Sequence, residues 1–469
     1  MPTLKSLPIA LCLLLFSPGW GHAISEAVPL RVHLEGERLS LEARDQVLSD
    51  ILAKLAEQGI RIRIDPRINP TITATFSNRP IGAALSSILK SVDYVLIWRK
   101  NPAAAVSDAR LREIQIFYKG QEERMRPLQA SANLVVVEQA DGGYHVQDVL
   151  LVRLAPEMTE TALAALLDRL GATVIDANRS LGILRLRLPH GSDVAAIAET
   201  VTEIAGIQNV APDFAYPLKG AVALADRSGS TVFSAPHSPL AGEPIVAVMD
   251  SGLLSDYGNH PSVQAAFDAV TPGAEVGDAL GHGTQMMLIA AGAVTPLGAG
   301  SDAPGGSPVV AIRAFDDNGF TSDFTLMRGI DHALEQGARV ISLSWGSETS
   351  SPLLESAMSY AASKGLIVVA AAGNSPTGNP VYPAAYEGVI GVGALNPGGD
   401  AWEQSNFGDF VALSAPGQAD LPVGFKGDPG VYAGTSIATA YIARRVAAIL
   451  SQHPDADRAL ILRLLTEAK

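Results

Sequence analysis

Apolar and charged residues alternate over Leu30-Arg31-Val32-His33-Leu34 and again over Ile60-Arg61-Ile62-Arg63-Ile64, the period of two that marks half-buried strands. Between them Val47, Ile51, Leu52 and Leu55 recur at helical spacing. Ile72 to Phe76 predicts another strand, Ile81, Leu85, Ile88 and Leu89 a second helix, and Tyr94 to Trp98 a closing strand. Residues 24–100 thus predict a small α+β module. Residues 145–216 repeat the mixture, with strands at Val149 to Leu154, Gly171 to Ile175 and Leu184 to Leu188, and helices from Thr159 to Leu170 and Val194 to Ile204. Residues 101–144 between them carry one strand pattern, Ile114 to Tyr118, and read as a connecting segment whose Glu122-Glu123-Arg124 charges face solvent. Residues 217–243 are rich in Gly, Ala, Ser and Pro and predict an exposed linker.

From Pro244 to the end at Lys469 the pattern changes. Short apolar runs (Ile245 to Met249, Val309 to Arg313, Val340 to Ser344, Leu366 to Ala370) alternate with helical stretches at Asp323 to Gln336 and Ser351 to Lys364. Runs apolar on both faces, separated by helices, predict an α/β fold with a parallel sheet covered on both sides. In such sheets ligands bind at the carboxyl ends of the strands. Asp250 follows four apolar residues and so falls at such an end.

Candidate chemistry is set among glycines. Asp250-Ser251-Gly252, Gly281-His282-Gly283-Thr284 and Gly434-Thr435-Ser436-Ile437-Ala438 supply a carboxylate, an imidazole and a hydroxyl. These are the parts of acyl-transfer catalysis: a nucleophile, a base to take its proton, and an acid to orient the base. The small, apolar run from Ile437 to Ala443 predicts a buried helix whose N-terminal dipole would favour negative charge developing at Ser436. Singly each motif is a common turn or cap; their order and spacing, 32 positions and then 154, are what carry the reading.

These residues resemble the subtilisin-like serine proteases, the subtilases. Val246 to Gly252, Gly281 to Thr284 and Gly434 to Ala438 are similar to the family's Asp, His and Ser motifs, and Val368 to Asn374 to the strand and turn that present its oxyanion-hole Asn. Ile341 to Gly346 resembles the strand lining the substrate cleft, and Tyr382-Pro383-Ala384, Val389 to Ala394 and Ser414 to Gly417 are further landmarks. The resemblance implies a subtilisin-like fold over residues 244–469, with Asp250, His282, Ser436 and Asn374 catalytic. It places Ser344, Trp345, Gly346, Ala372 and Gly373 along the substrate. Trp345 stands where the family often has Leu, which predicts a narrowed pocket and a preference for slender residues near the cut. Sitting just upstream, residues 145–216 look like a subtilase propeptide, a folding aid and intramolecular inhibitor, with self-processing expected between Pro217 and Glu243. Residues 24–100 resemble the short N-terminal module of secretins and TonB-dependent receptors through Asp65-Pro66-Arg67-Ile68, Arg79-Pro80-Ile81 and Tyr94 to Trp98. An envelope protein is therefore a candidate partner.

Three positions depart from the family pattern. Gln285 stands in place of a second His, Ala440 in place of a Pro after the Ser motif, and Ser262 in place of an acidic residue after His260-Pro261. The last weakens a calcium site there. No cofactor is needed for the chemistry, and the sequence assigns no ligands to a structural calcium.

Composition narrows the setting. Lys5, the apolar run Leu7 to Phe16 and the small residues Gly21-His22-Ala23 predict a secretory signal peptide over residues 1–23, cut after Ala23. That run is too short to cross a bilayer. The single cysteine, Cys12, lies inside it, so the exported chain would carry no disulfide or transmembrane segment and would be secreted or periplasmic. The net charge of −14 argues against a nucleic-acid surface. The leading expectation is a serine endopeptidase acting on polypeptides and made as an inhibited precursor. The competing ones are a weak or inactive subtilase-fold binding scaffold, motivated by Gln285 and Ala440, and an esterase or transacylase using the same triad.

Overall fold

The structure, a computed structural model, describes residues 30–56, 60–65, 68, 70–90, 92–100, 109–121, 125–127, 133–139, 142–189, 191–226, 242–300 and 305–467. The expected signal peptide, the Glu122-Glu123-Arg124 charges and most of the 217–243 stretch lie outside these residues. The chain divides into two units, Met1–Ala130 and Ser131–Lys469.

In the first unit Arg31–Glu35, Arg38–Val47 and Thr71–Pro80 form an antiparallel sheet. Helices Leu48–Ala56 and Ile81–Ile88 bury Leu48, Ile51, Leu52, Leu55, Ile81 and Leu85 in one apolar cluster. Two features differ from the sequence expectation. The strand Arg38–Val47 was not singled out, although Leu39, Leu41 and Ala43 alternate with polar residues and are buried. The strand Ala109–Phe117, expected within a connecting segment, lies inside a second sheet, parallel to Arg61–Ile64 and antiparallel to Asp93–Lys100. Its Ile114 and Ile116 are fully buried beside Ile62 and Ile64 in the same cluster, so the module runs past Trp98.

The second unit begins with an antiparallel sheet in the order Thr173–Asn178, Ile183–Arg187, Tyr144–Leu154, Ile207–Pro217. Val136–Glu138, from the expected connecting segment, also pairs with Tyr144–Leu154. Thr159 and Asp193 cap the helices Glu160–Leu170 and Val194–Thr202 through their side chains, the pairing that satisfies otherwise orphaned helical N–H groups. Leu150, Val152, Leu186, Val194 and Val201 pack between sheet and helices.

Downstream, seven strands run parallel in the order Val263–Asp268, Val309–Arg313, Ile245–Asp250, Ala338–Leu343, Ile367–Ala371, Ile390–Leu395, Val411–Pro416. Alternate residues on a strand face opposite sides, and two apolar layers result. Val246 and Val248 pack with helices His282–Ala290 and Thr435–Gln452, while Ala247 and Met249 pack with Asp323–Glu335 and Pro352–Ser363. This is the parallel sheet with helices on both faces that the strand-helix alternation predicts.

The stretch expected to be an exposed linker behaves differently at its start. Ile207–Pro217 adds the short strand Phe320–Ser322 of the downstream domain to its own sheet, through Ala215 opposite Ser322 and Pro217 opposite Phe320. Val222–Asp226 then pairs with Gly430–Ala433. Tyr216, Leu218 and Ala221 are buried. The physical cause is local: Tyr216, Leu218, Ala221 and Val222 are apolar enough to cover the downstream surface.

Candidate active site

Asp250 ends its strand at the carboxyl edge of the parallel sheet, where its carbonyl accepts from Ala314 N at 2.7 Å. Its Oδ1 accepts from Ser251 N and pairs with His282 Nδ1, both at 2.7 Å. His282 opens the helix His282–Ala290. Gly283 must be glycine, because a Cβ there would fall 2.3 Å from the carbonyl oxygen of Gly252. That contact draws the Asp and His motifs together.

Ser436 lies in the first turn of the helix Thr435–Gln452, next to the strand Gly430–Ala433. Its hydroxyl donates to Ser344 O at 3.1 Å, and the Ser344 hydroxyl returns a bond to Ser436 O at 3.3 Å. His282 Nε2 and Asp250 Oδ2 are buried and have no hydrogen-bond partner among the described residues. The Asp250–His282 pair is therefore formed, and the Ser436 hydroxyl is held on the Ser344 carbonyl. Rotation about the Ser436 Cα–Cβ bond is the motion that would bring it away from that carbonyl.

Asn374 is tied to the same helix: its Oδ1 accepts from Thr435 N at 3.0 Å and Thr435 Oγ1 at 2.9 Å. These bonds leave its N–H pair facing outward, and Nδ2 donates to the carbonyl of Gly220 at 3.3 Å. Gly373 N donates to Thr435 Oγ1 at 3.2 Å and Ala372 N to Val392 O at 2.9 Å, so both fix the turn that aims Asn374. Of the expected cleft residues, Ser344 meets Ser436 directly. Trp345 is 2 % exposed, with its ring 5.3 Å from that of Tyr216. Trp345 is thus packed against an aromatic ring from the upstream segment. Gly346 packs where a Cβ would fall 2.3 Å from Val381.

Asp278, Phe425 and Asp323 are contributors that the sequence reading did not single out, whereas Gln285 and Ala440 are two of its departures from the family pattern. Asp278 accepts from Ser251 Oγ and Gly281 N through one oxygen, and from Thr284 N and Thr284 Oγ1 through the other, at 2.7–2.8 Å. An Asp just ahead of Gly281-His282 is the available signal, since acids there satisfy the free N–H groups of a helix start. Gln285 Nε2 donates to Val423 O at 2.7 Å, and Phe425, two residues on, lies edge-to-face on His282 at 5.4 Å. Ala440 is fully buried within a continuous helix. Asp323, also fully buried, accepts from Tyr216 OH at 2.7 Å and from Ser351 Oγ; desolvation pushes its carboxyl up to about 8 and holds the Tyr216 phenol well above its usual range. Among the described residues no three His, Cys, Asp or Glu side chains gather as cation ligands.

Comparison with known proteins agrees with this geometry. Residues 242–469 match the model of the Subtilase family, and residues 131–213 that of the Fervidolysin N-terminal prodomain. Thermitase of Thermoactinomyces vulgaris is 35 % identical over 213 residues, 44 % of this chain and 75 % of that protein. A thermophilic serine proteinase of Bacillus sp. (strain AK1) is 36 % identical over 213 residues, 44 % of this chain, which spans only 52 % of that protein's length. The crystal structure of fervidolysin from Fervidobacterium pennivorans, described as a keratinolytic enzyme related to subtilisin, superposes with a TM-score of 0.52 at 22 % identity, covering 70 % of this chain and 58 % of that one. The sheet order, the Asp250–His282 pair and these matches lead to one assignment: the chain belongs to the subtilase family, with a prodomain of the fervidolysin type ahead of its catalytic domain.

Proposed function

We propose that this chain is a serine endopeptidase, exported to the periplasm or beyond the cell, that hydrolyses polypeptides and is made as a self-processed precursor. Ser436 Oγ attacks the scissile carbonyl while His282 Nε2 takes its proton. Asp250, held to Nδ1 at 2.7 Å, orients the ring and stabilises its charged form. Asn374 Nδ2 and the Ser436 backbone N–H receive the oxyanion. The C–N bond breaks as His282 returns the proton to the leaving amine, and water releases the acyl-enzyme by the reverse sequence. None of these steps needs a cofactor. The observation that carries the reading is that Asn374 already holds a peptide carbonyl of the chain's own prodomain side, Gly220 O.

The prodomain supports an inhibited precursor, because its sheet is continued by Phe320–Ser322 and its last strand leads into the site. Export rests on the N-terminal sequence pattern. No helix of the described residues is long and apolar enough to cross a membrane. The departures that motivated a binding scaffold have local work instead: Gln285 anchors the Val423 loop, and Ala440 lies in an unbroken helix. For the Met1–Ala130 unit we keep the module reading, with an envelope protein as partner. Val95, Ile97 and Trp98 on the outer strand Asp93–Lys100 are partly exposed, as a docking face requires.

Labelling by a serine-directed fluorophosphonate, together with hydrolysis of a protein substrate, tests the function. Both should occur with the natural chain and vanish in Ser436→Ala. Labelling without peptide hydrolysis, but with ester hydrolysis, would mean an esterase or transacylase. Loss of labelling in the natural chain would leave only a scaffold.

A further inference from the structure

We infer that Gly220–Ala221 is the bond this chain cuts in itself, and that the Phe425 ring is what requires glycine at the residue giving up its carbonyl. This rests on the serine-nucleophile reading above and goes further, to a bond and a size filter.

The segment is clamped on both sides of that bond. Upstream, Ala215, Tyr216 and Pro217 pair with Ser322, Thr321 and Phe320, and Leu218 N donates to Gly319 O at 2.8 Å. Downstream, Val222 and Ala223 pair with Ala433 and Tyr432. Lys219, Gly220 and Ala221 are all that spans the gap, so the chain cannot slip to present another carbonyl without breaking one ladder. Within the gap, Gly220 O takes the Asn374 Nδ2 hydrogen bond at 3.3 Å. A Cβ added to Gly434, two positions before Ser436, would fall 3.2 Å from Ala221 Cα. The 220–221 peptide therefore crosses the Ser436 motif with its carbonyl on the oxyanion donor.

Phe425 sets the size limit. A Cβ on Gly220 would stand 2.5, 2.6 and 2.7 Å from Phe425 Cε1, Cδ1 and Cζ, closer than carbon atoms approach. The ring is not free to yield. Its loop is fastened by Gln285 Nε2 on Val423 O at 2.7 Å and by Lys426 N on Leu280 O at 2.9 Å, and the ring itself lies against His282. The cut then proceeds as follows. Ser436 Oγ bonds to the Gly220 carbonyl carbon and its proton passes to His282; the Gly220–Ala221 C–N bond breaks and the proton goes to the Ala221 amine. Water hydrolyses the ester, leaving a carboxylate at Gly220 and restoring the Ser436 hydroxyl. The new N-terminus at Ala221 begins beside the strand Val222–Asp226, still paired with Gly430–Ala433.

The test is the pair of masses produced at the earliest time at which the purified full chain is cleaved, with Ser436→Ala alongside and fluorophosphonate labelling in parallel. Complementary fragments ending at Gly220 and beginning at Ala221, absent from Ser436→Ala, are expected. First fragments that meet at another bond overturn this assignment and leave the serine-nucleophile reading intact. Labelling of Ser436 with no fragments overturns self-cutting at this bond alone, and loss of both labelling and cutting overturns the two readings together. For the filter, Gly220→Leu should slow the cut about tenfold or more, the scale of forcing a side chain into filled space. Adding Phe425→Ala to Gly220→Leu should restore the rate of the Phe425→Ala single variant. An unchanged rate in Gly220→Leu, or no recovery in the double variant, overturns the filter.

Discussion

Gln285 donates its side-chain amide to the carbonyl oxygen of Val423 at 2.7 Å, joining residues 138 positions apart. One belongs to the helix that begins with His282; the other belongs to the loop that lays Phe425 against the same histidine. A residue that looks from sequence like a lapse from the family pattern is therefore the fastening of a loop over the imidazole. Gln285→Ala should leave the partly buried Val423 carbonyl without its donor and cost about 1 kcal/mol of stability, the usual net worth of one hydrogen bond. It should also raise hydrogen exchange in residues 422–429. Thermal unfolding and exchange mass spectrometry of Ser436→Ala with and without Gln285→Ala measure this, and identical exchange in the two would remove the fastening role.

Asn374 is held from behind by Thr435, so its amide N–H groups are aimed before any substrate arrives. Preorganised donors of this kind supply a large share of transition-state stabilisation, and losing one costs about 10²–10³ in kcat. Asn374→Ala should show that loss on a peptide substrate with a smaller change in KM, because the bond strengthens as negative charge develops on the oxygen. Near-full kcat in this variant would deny Asn374 the oxyanion role.

The catalytic half of the fold was legible because its signals are local. Val246 to Met249 are apolar on both faces, as a strand between two helical layers must be, and the structure divides them between two layers as that predicts. Asp250, His282, Ser436 and Asn374 stood out because glycines and fixed order surround them, and all four come to one edge of the sheet or the helix beside it. What stayed hidden depends on contacts distant in sequence. Phe425 is an ordinary apolar loop residue until the fold brings Gly220 and His282 to it. The strand Val222–Asp226 looked like linker because its partner Gly430–Ala433 lies some two hundred positions further on. The strand Arg38–Val47 alternates at Leu39, Leu41 and Ala43 but runs directly into the helical spacing of Val47, Ile51 and Leu55, which masks where it ends.

Asp278 shows how much of the site is supported by a residue that does no chemistry. Its carboxylate gathers Ser251, Gly281 and Thr284, one neighbour from the Asp motif and two from the His motif. Asp278→Ala would leave buried donors unpaired on both sides of the Asp250–His282 pair. A stability loss of about 3 kcal/mol or more is expected, because several charge-assisted bonds go at once. Asp278→Asn keeps the shape and part of the accepting capacity, and should recover part of the loss. Chemical denaturation of the two variants on the Ser436→Ala background measures the difference, and equal stability would show that the carboxylate charge is not what holds the motifs.

The contact between prodomain and catalytic domain has a built-in dependence on pH. Asp323 is fully buried beneath Tyr216, with Ser351 on its other oxygen, and Asp213 adds a like charge nearby. Asp213 itself is paired with Arg185 at 2.8 Å. Burial outweighs the two hydrogen bonds and raises the Asp323 carboxyl from 3.8 to about 8. A group whose folded value is raised binds more protons in the folded state, so its contribution is fully present below about 4 and is lost as pH rises towards 8. The uncut chain, kept whole by Ser436→Ala, should therefore lose Tm between pH 4 and pH 8 through this group, with no further loss from it above that range. Adding Asp323→Asn removes the titration while keeping an acceptor for Tyr216, and the Tm difference between the two chains should change across the same interval. Parallel Tm curves would show that Asp323 does not titrate in that interval.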